Sequence, residues 1–209
     1  MHKFLVTSAL ALLAIATGKA GVEQPAERLL TQDSDSVFNK GAKEFQNVTG
    51  VNYFVDRGSD RPSVDYALDS VRFGIMLCNP NGSNFLAGNF EFLTDIFAGP
   101  IFQGPGDVVV GSTMFLRYNF LQPGARMIPY LQIGAGLIYT DVSEKESRGL
   151  VSLPVEFNLQ GTLGLRFMVN QRWSIVAEGE YRHISNAEIH KPNFGINTVG
   201  GNLGFGLFF

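Results

Sequence analysis

The chain has 209 residues, a formal charge of −3, only 17% charged side chains and one cysteine, Cys78. That length suits one domain with at most a short tail. A lone cysteine rules out an internal disulfide or a cysteine-based metal site, and the lack of a basic stripe argues against a nucleic-acid partner. Glycine (24 residues) and phenylalanine (18) are abundant, as suits a chain that sets half its side chains in lipid.

His2 and Lys3 precede an apolar run from Phe4 to Ala16, and Thr17-Gly18-Lys19-Ala20 offers a small-residue cleavage site. Residues 1–20 therefore read as a secretory signal peptide, since a helix spanning a bilayer needs about 20 apolar residues. Residues 21–42 are polar and aperiodic and read as a periplasmic lead-in. From Lys43 the pattern becomes alternation. It is clearest at Val155 to Met168, where Val155, Phe157, Leu159, Leu163, Leu165 and Phe167 alternate with Glu156, Asn158, Gln160, Thr162 and Arg166. Side chains of a strand point alternately to opposite faces, so one face is apolar and the other polar.

Similar segments are predicted at 43–55, 65–77, 84–97, 107–120, 127–140, 154–168, 173–184 and 197–209. Each is long enough to cross hydrocarbon as a tilted strand of about 9–11 residues. An even count of long alternating strands predicts an all-β fold, an eight-stranded antiparallel transmembrane β-barrel over residues 43–209. Short turns are expected near Asn79–Gly82, Gln122–Gly124 and Asn170-Gln171. Longer external connections are expected near Asp56–Val64, Gly99–Gly106, Asp141–Leu153 and Asn186–Ile196. The inward set includes Arg72, Glu91, Asp95, Arg117, Glu156, Arg166, Glu178, Glu180 and Arg182. Eight strands leave room for side chains and not for a channel, so these charges are expected to pair across a packed polar core. The chain ends Gly204-Phe205-Gly206-Leu207-Phe208-Phe209, a terminal aromatic that resembles the recognition signal of outer-membrane barrels. The last strand must pair with the first, because an open edge in lipid leaves backbone groups unsatisfied.

The seventh strand carries the candidate chemistry. Glu178, Glu180 and Arg182 must face inward, which sets Trp173, Ile175, Tyr181, His183 and Ser185 on the lipid side. His183 and Ser185 are two apart on one face, with Cα atoms about 6.5–7 Å apart. A neutral histidine can take the proton from a serine hydroxyl, the minimum for ester hydrolysis. A bare His-x-Ser is common by accident, and from spacing alone the favoured reading is a pair that only hydrogen-bonds at the headgroup boundary. Trp173 and Tyr181 fit an interfacial aromatic girdle. His190, Lys145 and Arg148 read as solvated loop residues. No metal-ligand spacing or nucleotide-binding loop occurs.

The stretch Arg182-His183-Ile184-Ser185-Asn186-Ala187, followed by Pro192-Asn193-Phe194-Gly195-Ile196, resembles the signature of the lipid A 3-O-deacylases, the PagL family. The resemblance implies an eight-stranded outer-membrane barrel that removes the ester-linked acyl chain at the 3 position of lipid A. It implies no cofactor, a membrane location, lipopolysaccharide as partner, and a monomer or homodimer. It assigns Ser185 as nucleophile, His183 as base and Asn193 as oxyanion donor, with Asn186 and Gly195 as weaker candidates for that role. The family has a glutamate where this chain has Asn197. Strand parity sets Asn197 on the outer face with His183 and Ser185, and its side-chain oxygen can still orient the histidine, as in Cys-His-Asn enzymes. Glu180 points inward, and Glu188 is a weaker loop alternative. A non-enzymatic small barrel remains open, as does an esterase or phospholipase acting on another membrane lipid.

Overall fold

The computed structural model describes residues 35–55, 61–145 and 147–209. The expected signal peptide and residues 21–34 of the lead-in lie outside the described residues. Eight strands form: β1 (Lys43–Phe54), β2 (Asp65–Met76), β3 (Gly88–Gln103), β4 (Val108–Phe120), β5 (Met127–Thr140), β6 (Val155–Met168), β7 (Trp173–Ser185) and β8 (Ile196–Phe208). Each pairs antiparallel with its neighbour, and β8 returns to β1 in a closed barrel. The barrel predicted from alternation is therefore the observed fold.

The third strand departs from expectation at both ends. The segment 84–87 is not strand but a 3-10 turn at Asn84–Leu86, entered through Gly82 at φ +100° and Asn84 at φ +65°. Residues 77–87 are therefore the longest connection at the terminus end, not a short turn. At the other end β3 runs on through Gly99 and Pro100, which the sequence suggests as loop. Gly99 and Pro100 pair with Val109 and Val108 of β4, and a Cβ at Gly99 would lie 1.8 Å from the Ala67 carbonyl oxygen. That glycine serves an approach between strands, and the β3–β4 connection shrinks to residues 104–107.

The inward charges are buried as predicted. Arg72 pairs with Asp95 and Glu178, Arg117 with Glu44 and Glu91, Arg166 with Glu44, and Arg182 with Glu180. Glu44, at the very start of β1, is a member the sequence reading does not single out. Tyr130 donates to Glu178 and lies under the Arg117 guanidinium, 4.2 Å from the ring centre. Apolar layers close this charged middle at both ends. Leu68, Phe97, Ile138, Ile184 and Ile196 belong to a buried cluster at the end remote from the termini. At the terminus end Phe38 packs with Met76, Ile128, Met168 and Phe208. The tail of the lead-in is thus folded as a plug: Phe38 is 2% exposed, and Asn89 donates to its carbonyl. Apolar side chains such as Phe73, Phe92, Leu116 and Leu163 stand on the outer face.

Candidate active site

Strands β7 and β8 are joined by residues 186–195, a connection whose length fixes their register. It sets His183 directly opposite Asn197, while across β6 Leu159 faces His183 and Phe157 faces Ser185. His183, Ser185 and Asn197 are half-buried and share the outer face at the end remote from the termini. His183 Nδ1 lies 2.7 Å from Asn197 Oδ1. An amide oxygen only accepts, so the Nδ1 of His183 carries the proton and its Nε2 keeps the lone pair a base needs.

The same Asn197 oxygen accepts a second hydrogen bond, from the Tyr181 hydroxyl at 2.7 Å. The sequence suggests Tyr181 only as a girdle residue, yet its hydroxyl turns to the site. Parity is the available signal, since Tyr181 sits two residues before His183 on the same face. The Ser185 hydroxyl makes no hydrogen bond among the described residues. Ser185 and His183 lie two residues apart on the same outer face, with no hydrogen bond between their side chains.

The three residues expected at the oxyanion are committed elsewhere. Asn193 Nδ2 donates to both oxygens of Glu156 at 3.1 and 3.0 Å. Asn186 Nδ2 donates to the Ser152 hydroxyl, the His190 carbonyl and Glu156. The Gly195 N–H donates to the Leu150 carbonyl at 2.7 Å. Gly195 has a different use: at φ +83°, a Cβ there would come within 2.8 Å of His183 Cε1, so the missing side chain makes room for the imidazole.

Glu156 is an anchor that sequence reasoning places only as an inward charge. Its carboxylate also accepts from the Ser152 and Leu153 N–H groups, tying the β5–β6 and β7–β8 connections into one cap. The Phe194 N–H reaches the Gly149 carbonyl, and the Arg61 guanidinium lies 3.5 Å above the Phe194 ring centre. A second clamp holds the β3–β4 connection. Burial pushes the Asp141 carboxyl up, but hydrogen bonds from the Asp107 and Val108 N–H groups outweigh this and hold it below its ordinary value. Glu188 is exposed in an ion pair with Lys191, and Glu180 is buried inside the barrel.

An apolar groove of about 960 Å³ opens beside His183, Tyr181 and Asn197 and crosses the outer face to Phe92. Leu159, Ile133 and Met114 line it, and Gly161 and Ala135 leave its floor low. A neighbouring hollow of about 670 Å³ lies along Leu131, Leu163 and Val199, with the Tyr181 ring shared between the two. A polar trio at the mouth of an apolar, lipid-facing groove can receive a molecule with a polar head and a hydrocarbon chain. Among the described residues no group of three or more His, Cys, Asp or Glu side chains is placed to hold a metal.

The family model for lipid A 3-O-deacylase (PagL) matches residues 70–206, which include the whole candidate site. Among solved structures, the chain is similar to the outer membrane enzyme PagL, with a TM-score of 0.53, 14% identity, and coverage of 77% of this chain and 97% of that one. It is also similar to Neisserial surface protein A, with a TM-score of 0.52, 17% identity, and coverage of 81% and 98%. At such identities these likenesses speak to the fold alone. No curated protein matches the sequence.

Proposed function

The chain belongs to the lipid A 3-O-deacylase family, and on that premise we propose that it works as a serine esterase in which Ser185 attacks, His183 moves the proton and Asn197 orients the imidazole. The observation that carries this reading is the bond from His183 Nδ1 to Asn197 Oδ1 at the mouth of the apolar groove. It leaves Nε2 as the free base two residues from a hydroxyl on the same face.

In the first step His183 Nε2 takes the Ser185 proton as Oγ attacks the carbonyl carbon of the 3-O ester. The tetrahedral intermediate collapses, the bond to the sugar oxygen breaks, and the imidazolium returns its proton to that oxygen. Water, deprotonated by the same Nε2, then attacks the acyl-enzyme, the bond to Ser185 Oγ breaks, the imidazolium returns its proton to Oγ and the fatty acid leaves. The acyl chain lies in the groove, and the headgroup stays at the loop cap. Preorganised donors stabilise the oxyanion. With the Asn186 and Asn193 side chains held by Glu156 and the Phe194 and Gly195 N–H groups bonded to the Gly149 and Leu150 carbonyls, that task falls to Asn193 once it leaves Glu156. Residues 1–20 act as the cleaved export signal.

Labelling with a long-chain alkyl fluorophosphonate tests the serine assignment. Ser185 Oγ should displace fluoride and carry the phosphonyl group, and His183→Ala should abolish the adduct. Modification elsewhere, or equal labelling of Ser185 without His183, contradicts the proposal.

A further inference from the structure

The two hydrogen bonds on Asn197 differ in what they need from it. A carboxylate offers two equivalent acceptor oxygens, so either edge orients a histidine. An amide has one acceptor edge and one donor edge of nearly the same shape. If the Asn197 amide were reversed, Nδ2 would face His183 Nδ1 and favour the tautomer protonated at Nε2. That tautomer has no lone pair for Ser185. An amide in this position therefore needs something to select its acceptor edge.

We infer that Tyr181 is that selector, a positioning residue that acts through Asn197 to keep His183 in the tautomer able to serve as base. This inference rests on the Ser185–His183 reading. The Tyr181 hydroxyl donates to Asn197 Oδ1 at 2.7 Å, the oxygen that also faces His183 Nδ1 at 2.7 Å. A phenol is a better donor than acceptor, because its oxygen lone pair is delocalised into the ring. With the amide reversed, the phenol proton would lose this acceptor. The surroundings are apolar, with Val199 opposite Tyr181 on β8 and Gly161 opposite it on β6. An interfacial girdle tyrosine would turn its hydroxyl to headgroup water; this one turns it sideways along the sheet to the next strand.

The test is a two-by-two set of refolded proteins in detergent: wild type, Tyr181→Phe, Asn197→Asp and the double variant. All four are assayed for acyl release from lipid A, and their His183 tautomer is read by ¹⁵N imidazole NMR. Tyr181→Phe keeps the ring and the groove wall. In the wild-type background, with Asn197 present, it should lower kcat about tenfold at unchanged KM, the scale of one lost hydrogen bond. In the Asn197→Asp background the same change should cost less than about twofold, since a carboxylate has no wrong edge. The Nε2–H tautomer should grow in the single Tyr181→Phe variant and not in the double. Equal losses in both backgrounds, or no loss in either, would overturn the inference, as would a tautomer ratio indifferent to Tyr181. Ser185→Ala separates the two claims. If it leaves acyl release intact, the esterase reading fails, and the tautomer ratio alone decides the role of Tyr181.

Discussion

Inside the barrel Arg117 reaches Glu44, Glu91, Gln46 and Gln132, and Arg72 reaches Asp95 and Glu178. On the outer face Asn197, His183, Tyr181 and Ser185 form a sparse set with no acid in it, and a single amide oxygen accepts both of its hydrogen bonds. The interior buries charge and answers it with opposite charge. A charge on the lipid-facing side is destabilising to a degree set by its depth, and the Ser185 hydroxyl of the outer cluster makes no hydrogen bond among the described residues. Density of partners thus separates the part that holds the barrel from the part proposed to react. It also gives a physical reading of Asn197: an amide on this face is easier to tolerate than a carboxylate, at the expense of a weaker partner for the imidazolium.

This contrast can be broken from the inside first. Arg117→Met leaves Glu44 and Glu91 short of a cation, and breaking a buried pair costs about 3–5 kcal/mol. Urea unfolding in detergent should show a loss of that size, while acyl release per folded molecule stays within about twofold of wild type. A large fall in specific activity without a stability change would mean that the interior network serves the site directly. Glu156 lies between the two regions. Glu156→Ala removes the acceptor for Asn186, Asn193 and two backbone N–H groups, and bonds to a charged group contribute about 1.5–3 kcal/mol. The loss should appear as protease sensitivity of residues 186–195 with the strands still protected.

How much of this is legible beforehand follows from the physics of strands. Alternation sets the faces, so the shared outer side of His183, Ser185 and Asn197 can be read from the sequence, as can the inward Glu180. Register cannot. The pairing of His183 with Asn197 depends on how residues 186–195 turn, and a one-residue slip would send every side chain of β8 to the other face. The capture of Asn193 by Glu156 joins residues far apart in sequence and has no local signature. Gly99 and Pro100 look like breakers, yet they pair with Val109 and Val108 of β4, and Ala67 approaches Gly99 too closely for a Cβ. The plug at Phe38 is hidden because one aromatic in a polar segment carries no period.

Two smaller effects sharpen the comparison. Asn197→Asp places a formal charge on the outer face beside His183. It should raise kcat about tenfold, about 1.4 kcal/mol in the transition state, and lower the unfolding midpoint, because the imidazolium gains an ionic partner while the lipid face gains a charge. An unchanged kcat would show that orientation alone is what the imidazole needs. The smallest effect concerns Asp141, whose carboxyl is held below its ordinary value by two backbone donors once the opposing effect of burial is overcome. A depressed carboxyl contributes stability above its unfolded-state pKa and loses it as pH falls through the folded value. The protection of the Asp107 and Val108 amides, taken relative to the intrinsic exchange rate at each pH, should therefore fall on acidification more than that of residues 109–120. A loss of protection spread evenly over residues 107–120 would contradict the clamp.

The central proposal, that Ser185, His183 and Asn197 on the outer face make this barrel an esterase, is tested most directly by lipid A mass spectrometry. Cells of a Gram-negative host lacking such an activity would express wild type or Ser185→Ala at matched levels of folded barrel. The account predicts loss of one 3-linked acyl group with the wild type and intact lipid A with Ser185→Ala. Deacylation that survives the substitution, or intact lipid A in both, would contradict it.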